Sequence, residues 1–432
     1  MANPDRAFPF SLVGGRLAAG GGILPLMADM GRALAVDPGM RMLGGGNPAA
    51  VPGVQALVRR RMAELLADEQ AFGRMMVNYD PPRGNPRFLA ALAALLRREY
   101  GWAVGPENLA ITSGGQSAFF YLFNLLAGEF AAGRRRRILL PVSPEYIGYA
   151  DQGLAPDLFV ACRPTIDRGH GGDPHCFKYR IDFDAVERAL AAHDVGAIAV
   201  SRPTNPSGNV LADAEVERLS GLAAARGIPL IVDNAYGAPF PDILFVPVRP
   251  HWAEHVILTM SLSKLGLPGT RTGIVVAPEP IAAALAGMTA VVGLANGTIG
   301  QQIVLPWVED GSILRIGRDH LQPFYGARAA AASAWARESL DAVGIDWALH
   351  AQEGAFFHWL WLPGLRIPAL ELYERLKARQ VLTVPGEHFF YGLESDWPHR
   401  RQCLRLNVSG PAETVREAYG IIAAEAARAC RA

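Results

Sequence analysis

Through the middle of the chain, short apolar runs alternate with stretches whose apolar residues recur every three or four positions. The runs are Leu109–Thr112, Ile138–Val142, Leu158–Ala161, Ala197–Ser201, Pro229–Asp233, Val256–Met260 and Thr272–Ala277. The segments Ser117–Leu126, Phe183–Ala192 and Ala214–Arg226 carry the helical period. Runs without polar alternation suit strands buried on both faces, and the intervening helices supply the crossovers that parallel strands need. The pattern predicts an α/β fold with a mostly parallel, seven-stranded sheet covered on both faces.

The tail has a different rhythm. A long Ala/Arg-rich helical stretch, Ile313–Leu340, precedes strand-like Phe356–Leu362, Val381–Val384 and Cys403–Val408, with helices at Ala369–Arg379 and Glu413–Ala429. This predicts a smaller α+β domain joined by a connecting helix. The expected division is an N-terminal arm and part of the small domain over 1–50, a large domain over 51–315, and the connecting helix and small domain over 316–432. Pro280–Val308 carries no charge and is long enough to span a bilayer. Its Ala, Thr, Asn and Gln content and the breaks at Gly293, Gly297 and Gly300 predict instead a buried helix, an irregular loop and a second helix.

Composition narrows the partners. The 432 residues are 50% hydrophobic, ample for two or more domains. Lys+Arg 41 against Asp+Glu 41 gives no reason to expect a nucleic acid or an anionic membrane surface. Arg134–Arg137, between Gly133 and a strand, is expected to be a solvated helix end. Cys162, Cys176, Cys403 and Cys430 form no CxxC pair, which fits a reducing cytosol. Asp5 and the short apolar stretch Phe8–Val13 before Arg16 do not read as a signal peptide, so a cytoplasmic location is expected. The His- and Cys-bearing stretch Arg168–Cys176 fits no zinc spacing and is expected to be a surface loop, leaving no metal site.

Lysine occurs only at Lys178, Lys264 and Lys377, so nearly every cation is arginine. Lys264 lies in Ser261-Leu262-Ser263-Lys264-Leu265-Gly266-Leu267-Pro268-Gly269, directly after an apolar run. A desolvated lysine loses its proton more easily and can act as nucleophile or base, which arginine cannot. A lone lysine of this kind could equally snorkel to the surface. Here Ser261, Ser263 and Arg271 offer hydroxyls and a planar fork suited to a phosphate dianion. Ser113-Gly114-Gly115-Gln116-Ser117, between a strand and a helix, is a second anion-binding candidate, or simply a βα turn. Asp233 closes a buried strand at the edge where α/β sheets place ligands, and could pair with a protonated ring nitrogen or cap a helix. Asn205 follows another strand, where turn chemistry is the plain alternative. Arg405, inside the alternating strand Cys403–Val408, needs either a substrate carboxylate or a structural salt bridge.

The order of these pieces is informative: a glycine-rich turn, Asn-Pro-x-Gly, Asp-x-x-Tyr, Ser-x-Ser-Lys with a later arginine, and an arginine in a late strand. With LGGGNPA, NYDPPRG, QSAFFYLFNL, PEYIGYAD, SRPTNPSGNV, VDNAYGAPFP and MSLSKLGLPGTR, the chain resembles, over nearly its whole length, the fold-type I enzymes of the aspartate aminotransferase superfamily. The resemblance implies pyridoxal 5′-phosphate (PLP) as cofactor, joined to Lys264 as a Schiff base, with Lys264 then moving the proton between the substrate Cα and the cofactor's C4′. It implies that Asp233 keeps the ring nitrogen protonated, that Tyr236 and Asn205 contact the phenolic oxygen, and that Tyr146 stacks on the ring. Gly115, Gln116, Ser261, Ser263 and Arg271 would hold the phosphate. Tyr79 would reach the phosphate of a neighbouring subunit, implying a homodimer with shared active sites. Arg405 would clamp the α-carboxylate, and Gly46 would line the substrate end.

Substrate class follows from a gap in charge. The family's dicarboxylate enzymes draw a second cation from the segment after the lysine motif, yet no Lys or Arg occurs from Thr272 to Leu314. An acidic side chain buried there would lack a partner. Valine, alanine and related aliphatic donors, with pyruvate or 2-oxoisovalerate as acceptor, are therefore expected. A lyase or synthase on the same scaffold would differ in releasing a thiol or ammonia. A PLP-sensing regulator would need a DNA-binding module, and the residues before Gly46 contain none.

Overall fold

The computed structural model describes residues 10–19 and 23–431; Asp5 and Phe8, on which the N-terminal reading rests, lie outside the described residues. All seven apolar runs join one sheet. Its order is Leu109–Thr112, Gly273–Val276, Val256–Ser261, Leu230–Asp233, Val195–Ser201 and Arg135–Leu140, with Phe159–Ala161 beside the last. A two-residue strand, Gly128–Glu129, adds an eighth member antiparallel to Arg135–Leu140. The neighbours from Val256–Ser261 through to Phe159–Ala161 are parallel. Gly273–Val276 is reversed against both of its neighbours.

The arginine run departs from expectation. Arg135–Arg137 open a strand rather than end a helix. Arg134 and Arg136 reach Asp194 at 2.7 and 3.3 Å, and Arg137 reaches Glu394 at 3.8 Å. The strand's first half is open to solvent, so long side chains keep their charges wet while Ile138–Leu140 enter the core.

Helices cover both faces, and local chemistry sets their ends. Asn85 Oδ1 accepts from Phe88 N at 3.1 Å, Pro86 sits in the first turn, and Gly101 closes the helix Pro86–Tyr100 with φ +67°. Removing such an N-cap costs about 1 kcal/mol. Asp182 caps Phe183–Ala192 in the same way. The helix Gly115–Leu126 buries Phe119, Leu122 and Phe123 against the sheet, each worth about 1.5–3 kcal/mol. The uncharged segment resolves into helices Glu279–Gly293 and Ile299–Glu309 with a loop between them. No helix among the described residues is long and apolar enough to cross a membrane.

A second sheet runs Val384–Pro385, Cys403–Asn407, Phe357–Trp361, Ala348–His350, Cys176–Arg180 and Thr165–Arg168. Its last two strands come from the middle of the sequence, so the chain between 165 and 180 leaves the large sheet's layer to extend the C-terminal one. Residues 169–175 are accordingly the connection of a hairpin, with Arg168 and Cys176 at the ends of its two strands. Helices Gln322–Val343 and Ala412–Arg431 pack together beside this sheet around Leu340, Tyr419 and Ile422. The N-terminal segment joins here too, because Arg41–Met42 pairs with Val381–Leu382. That pairing sends Leu43–Asn47 across the gap between the two sheets.

Candidate active site

The carboxyl ends of parallel strands share one edge of a sheet, and here that edge collects the polar residues. Ser201 and Asp233 are opposite one another, as are Thr259 and Asp233. Gly273 faces both Ser261 and Thr112, so the Ser113–Gly115 turn opens on the same edge. Above it lies a cavity of about 540 Å³. It is the position at which open α/β sheets hold ligands.

Lys264 Nζ donates to the carbonyl of Gly46 at 2.6 Å and lies 5.4 Å from the centroid of the Tyr236 ring. Burial lowers its pKa to about 8; Arg405 and Arg271 push the same way, and Asp233 opposes them. Arg271 packs over the Ser113–Gly115 turn, with Nη2 3.4 Å from the carbonyl of Ser113. Gly114 suits the turn by its backbone and leaves room for Arg271. Its φ is +90°, and a Cβ would sit 2.3 Å from Arg271 Nη2. The amides that open the helix Gly115–Leu126 thus face the cavity beside a guanidinium and the hydroxyls of Ser261 and Ser263.

Asp233 sits in a cage of donors. Oδ1 accepts from Ala235 N at 2.9 Å and from Thr259 Oγ at 3.4 Å, and Oδ2 accepts from the Tyr149 hydroxyl. Burial raises its pKa against these hydrogen bonds and the charge of Lys264. Beneath it, Glu145 accepts from Ser201 N and Oγ, both at 2.7 Å, and from Tyr146 N at 3.0 Å. Burial pushes Glu145 up to about 8 despite those donors. The Tyr391 hydroxyl, from the connection between Val384–Pro385 and Cys403–Asn407, donates to the carbonyl of Tyr146 at 2.9 Å and fixes that segment.

The other end of the cavity is built around Arg405. Its Nη1 donates to Asn205 Oδ1 at 2.9 Å and its Nη2 to the carbonyl of Gly44 at 2.6 Å. Its buried Nε has no partner among the described residues. Burial lowers the guanidinium to about 10, with the Tyr236 and Tyr146 hydroxyls opposing. Lys264, Arg271 and Arg405 line one cavity, and none is hydrogen-bonded to a carboxylate among the described residues.

Twelve residues singled out in the sequence line this cavity: Gly46, Gly115, Gln116, Tyr146, Asn205, Asp233, Tyr236, Ser261, Ser263, Lys264, Arg271 and Arg405. Tyr79 does not; it is 82% exposed at the surface. Sequence reasoning passed over Tyr149, Thr259 and Glu145. The hydroxyl of Thr259 inside the apolar run Val256–Met260 and the carboxylate of Glu145 directly before Tyr146 were the available signals. It also passed over the helix Ile23–Val36, whose Leu26 and Met30 form part of the wall. Among the described residues, no group of three or more His, Cys, Asp or Glu could hold a metal ion.

Residues 54–422 match the family model "Aminotransferase class I and II". Valine–pyruvate aminotransferase of Escherichia coli K12 is 45% identical over 420 residues, covering 97% of this chain and 98% of that one. The solved valine–pyruvate aminotransferase of Salmonella typhimurium LT2 superposes with a TM-score of 0.85 at 42% identity, covering 95% of this chain and 100% of that one. A solved chain from Psychrobacter arcticum superposes with a TM-score of 0.94 at 40% identity, covering 98% and 99%. The fold built of the two sheets is thus that of a known enzyme family. The chain belongs to the class I and II aminotransferases, fold-type I enzymes that transfer amino groups with pyridoxal 5′-phosphate.

Proposed function

We propose that this chain transfers the amino group of small aliphatic L-amino acids, valine and alanine foremost, to 2-oxo acids such as pyruvate and 2-oxoisovalerate. The observation that carries the reading is the charge layout of the cavity. Arg405, buried and without a carboxylate partner, stands at one end to receive an α-carboxylate bidentately. The other two lining cations, Lys264 and Arg271, lie at the centre and at the Ser113–Gly115 turn. Among the described residues that line the cavity none remains for an acidic side chain, and Met30, Met42 and Val384 belong to its apolar lining. The names of the Escherichia coli and Salmonella relatives support the same donor and acceptor.

The donor set suits the cofactor. Ser261, Ser263, Arg271, Gln116 and the amide of Gly115 are the groups for its phosphate. Asp233 meets the protonated ring nitrogen, whose positive charge would answer the cost of burying that carboxylate. Tyr236 and Asn205 would take the phenolic oxygen, and Tyr146 would stack on the ring. When bound, the cofactor supplies an aldehyde carbon for the amino group and a ring that holds the electron pair of the broken Cα–H bond. Lys264, an amine at mildly alkaline pH, holds the cofactor and moves the proton from the substrate Cα. Gly46, whose carbonyl accepts from Lys264, closes the substrate side.

A second copy of the chain completes the site. Val77, Tyr79 and Val291 are 78%, 82% and 87% exposed, and Met76, Val292 and Leu294 continue the apolar strip. Thr298 Oγ donates to the carbonyl of Met75 at 2.7 Å and Asn296 Nδ2 to that of Pro82 at 3.0 Å, so both halves of the strip are one surface. Ser113 Oγ donates to Asn296 Oδ1 at 3.3 Å, linking that surface to the phosphate turn. Such a patch is a docking face, and Tyr79 on it is the residue to reach the partner's phosphate. Four free cysteines support a cytoplasmic setting.

The test is kcat/KM with pyruvate for valine and alanine against aspartate and glutamate. Valine should yield 2-oxoisovalerate and alanine in equal amounts, without ammonia. A preference for either acidic donor would refute the reading.

A further inference from the structure

The helix Ile23–Val36 carries Leu26, Met30 and Leu34 one turn apart, and all three line the cavity. Its rotation is set from one side. Asp29 Oδ2 accepts from the Tyr373 hydroxyl at 2.6 Å and from Lys377 Nζ at 2.9 Å. Tyr373 and Lys377 are themselves one turn apart on the helix Ala369–Ala378, so they grip a single carboxylate together. Successive residues turn by about 100°. With Asp29 held against the C-terminal domain, the neighbouring 26/30/34 stripe is turned into the cavity.

Met30 is buried. A Cβ on Gly44 would lie 2.4 Å from Met30 Cε and 2.9 Å from Sδ, so the absent side chain at 44 is the space the thioether fills. The carbonyl of that same Gly44 accepts from Arg405 Nη2. The thioether is therefore one residue removed from the guanidinium. Val384, paired with Arg405 in the sheet, lines the same end.

We propose that Met30 is a specificity-determining residue: with Leu26 it forms the apolar wall that limits the size of the neutral side chain of an amino acid held by Arg405. The inference rests on the aliphatic transamination reading above and deepens it. An unbranched thioether fills an irregular gap without a polar atom to satisfy. It therefore accepts valine and alanine while occupying the space that a longer chain would need. A cation at this position is absent, which is why the wall sorts neutral donors by volume rather than by charge.

Met30→Ala should open the wall and raise kcat/KM for leucine relative to valine about tenfold, the scale at which one methylene is discriminated in an apolar pocket. Met30→Leu, of similar volume, should leave that ratio near the wild-type value. The visible absorbance of the bound cofactor should be unchanged in both, which separates a resized wall from a damaged site. Met30→Phe works in the opposite direction and remains informative if the alanine variant does not fold; it should lower valine relative to alanine about tenfold. An unchanged ratio in whichever of the alanine and phenylalanine variants is active would overturn the inference alone. Absence of turnover of neutral aliphatic donors by the wild type would instead fail the reading beneath it.

Discussion

Arg405 Nη1 donates to Asn205 Oδ1 at 2.9 Å, joining the second sheet to the turn that follows Val195–Ser201 in the first. One guanidinium thus fixes both the carboxylate end of the cavity and the approach of the two layers. Removing it deletes a contact that every α-amino acid would make alike. Arg405→Ala should lower kcat/KM for valine and alanine by the same factor, about 10- to 100-fold, the worth of a charge-assisted hydrogen bond. Arg405→Lys keeps the charge but not the fork and should recover part of the loss. An effect confined to one donor would show that Arg405 contacts the side chain instead.

Asp233 depends on the Tyr149 hydroxyl, Ala235 N–H and Thr259 hydroxyl to stay charged where burial opposes charge. Asp233→Ala removes the partner of the ring nitrogen, so the loss should fall on kcat, about 10²–10³-fold, as for other preorganised electrostatic groups. Tyr149→Phe leaves the carboxylate in place with one donor fewer and should cost about tenfold or less. Near-normal kcat in Asp233→Ala would remove it from the chemistry.

The sequence told much about this architecture because burial leaves a strong mark on it. Seven uninterrupted apolar runs became seven strands of one sheet, as a sheet covered on both faces demands. Direction left no such mark: Gly273–Val276 is as apolar as its parallel neighbours yet runs opposite to both. Nor did long-range pairing, since nothing local in Cys176–Arg180 says that it will lie beside Ala348–His350. In the cavity, polar residues beside glycine were legible because such residues are out of place in a core unless used. Tyr149 and Met30 were not, because an aromatic or thioether in an apolar stretch reads as packing until the fold brings it to Asp233 or Gly44.

If two copies share the strip around Tyr79 and Val291, a charge on it should separate them. Val291→Asp buries an unpaired carboxylate in that interface, a cost of several kcal/mol. Sedimentation should then show monomer where the wild type shows dimer, with weaker PLP retention. Tyr79→Phe should leave the dimer intact while weakening PLP binding, about fivefold for one hydrogen bond. A monomeric wild type that keeps PLP tightly would contradict both.

Lys264 gives a pH signature that can be read without turnover. Its ammonium is weakened to about 8, chiefly by burial, with Arg405 and Arg271 adding to the effect. Only the amine attacks an aldehyde, so PLP capture by the apoprotein should speed up about tenfold per pH unit below 8 and level off above it. Stopped-flow absorbance would follow this directly. Lys264→Arg, which stays protonated, should show no covalent capture at any pH. The same shift has a consequence for stability. Between about 8 and about 10.4 the unfolded chain keeps the lysine proton that the folded chain has released. The unfolded state then binds more protons, so this residue's contribution to stability rises with pH across that window. Below 8 both states are protonated, and the cost of the buried ammonium is at its full value. Lys264→Met apoprotein should therefore be more stable than wild type at pH 7, and the advantage should shrink as the pH is raised towards 10. A difference in unfolding free energy that stays constant from pH 7 to 10 would mean that Lys264 keeps an ordinary lysine pKa in the folded protein.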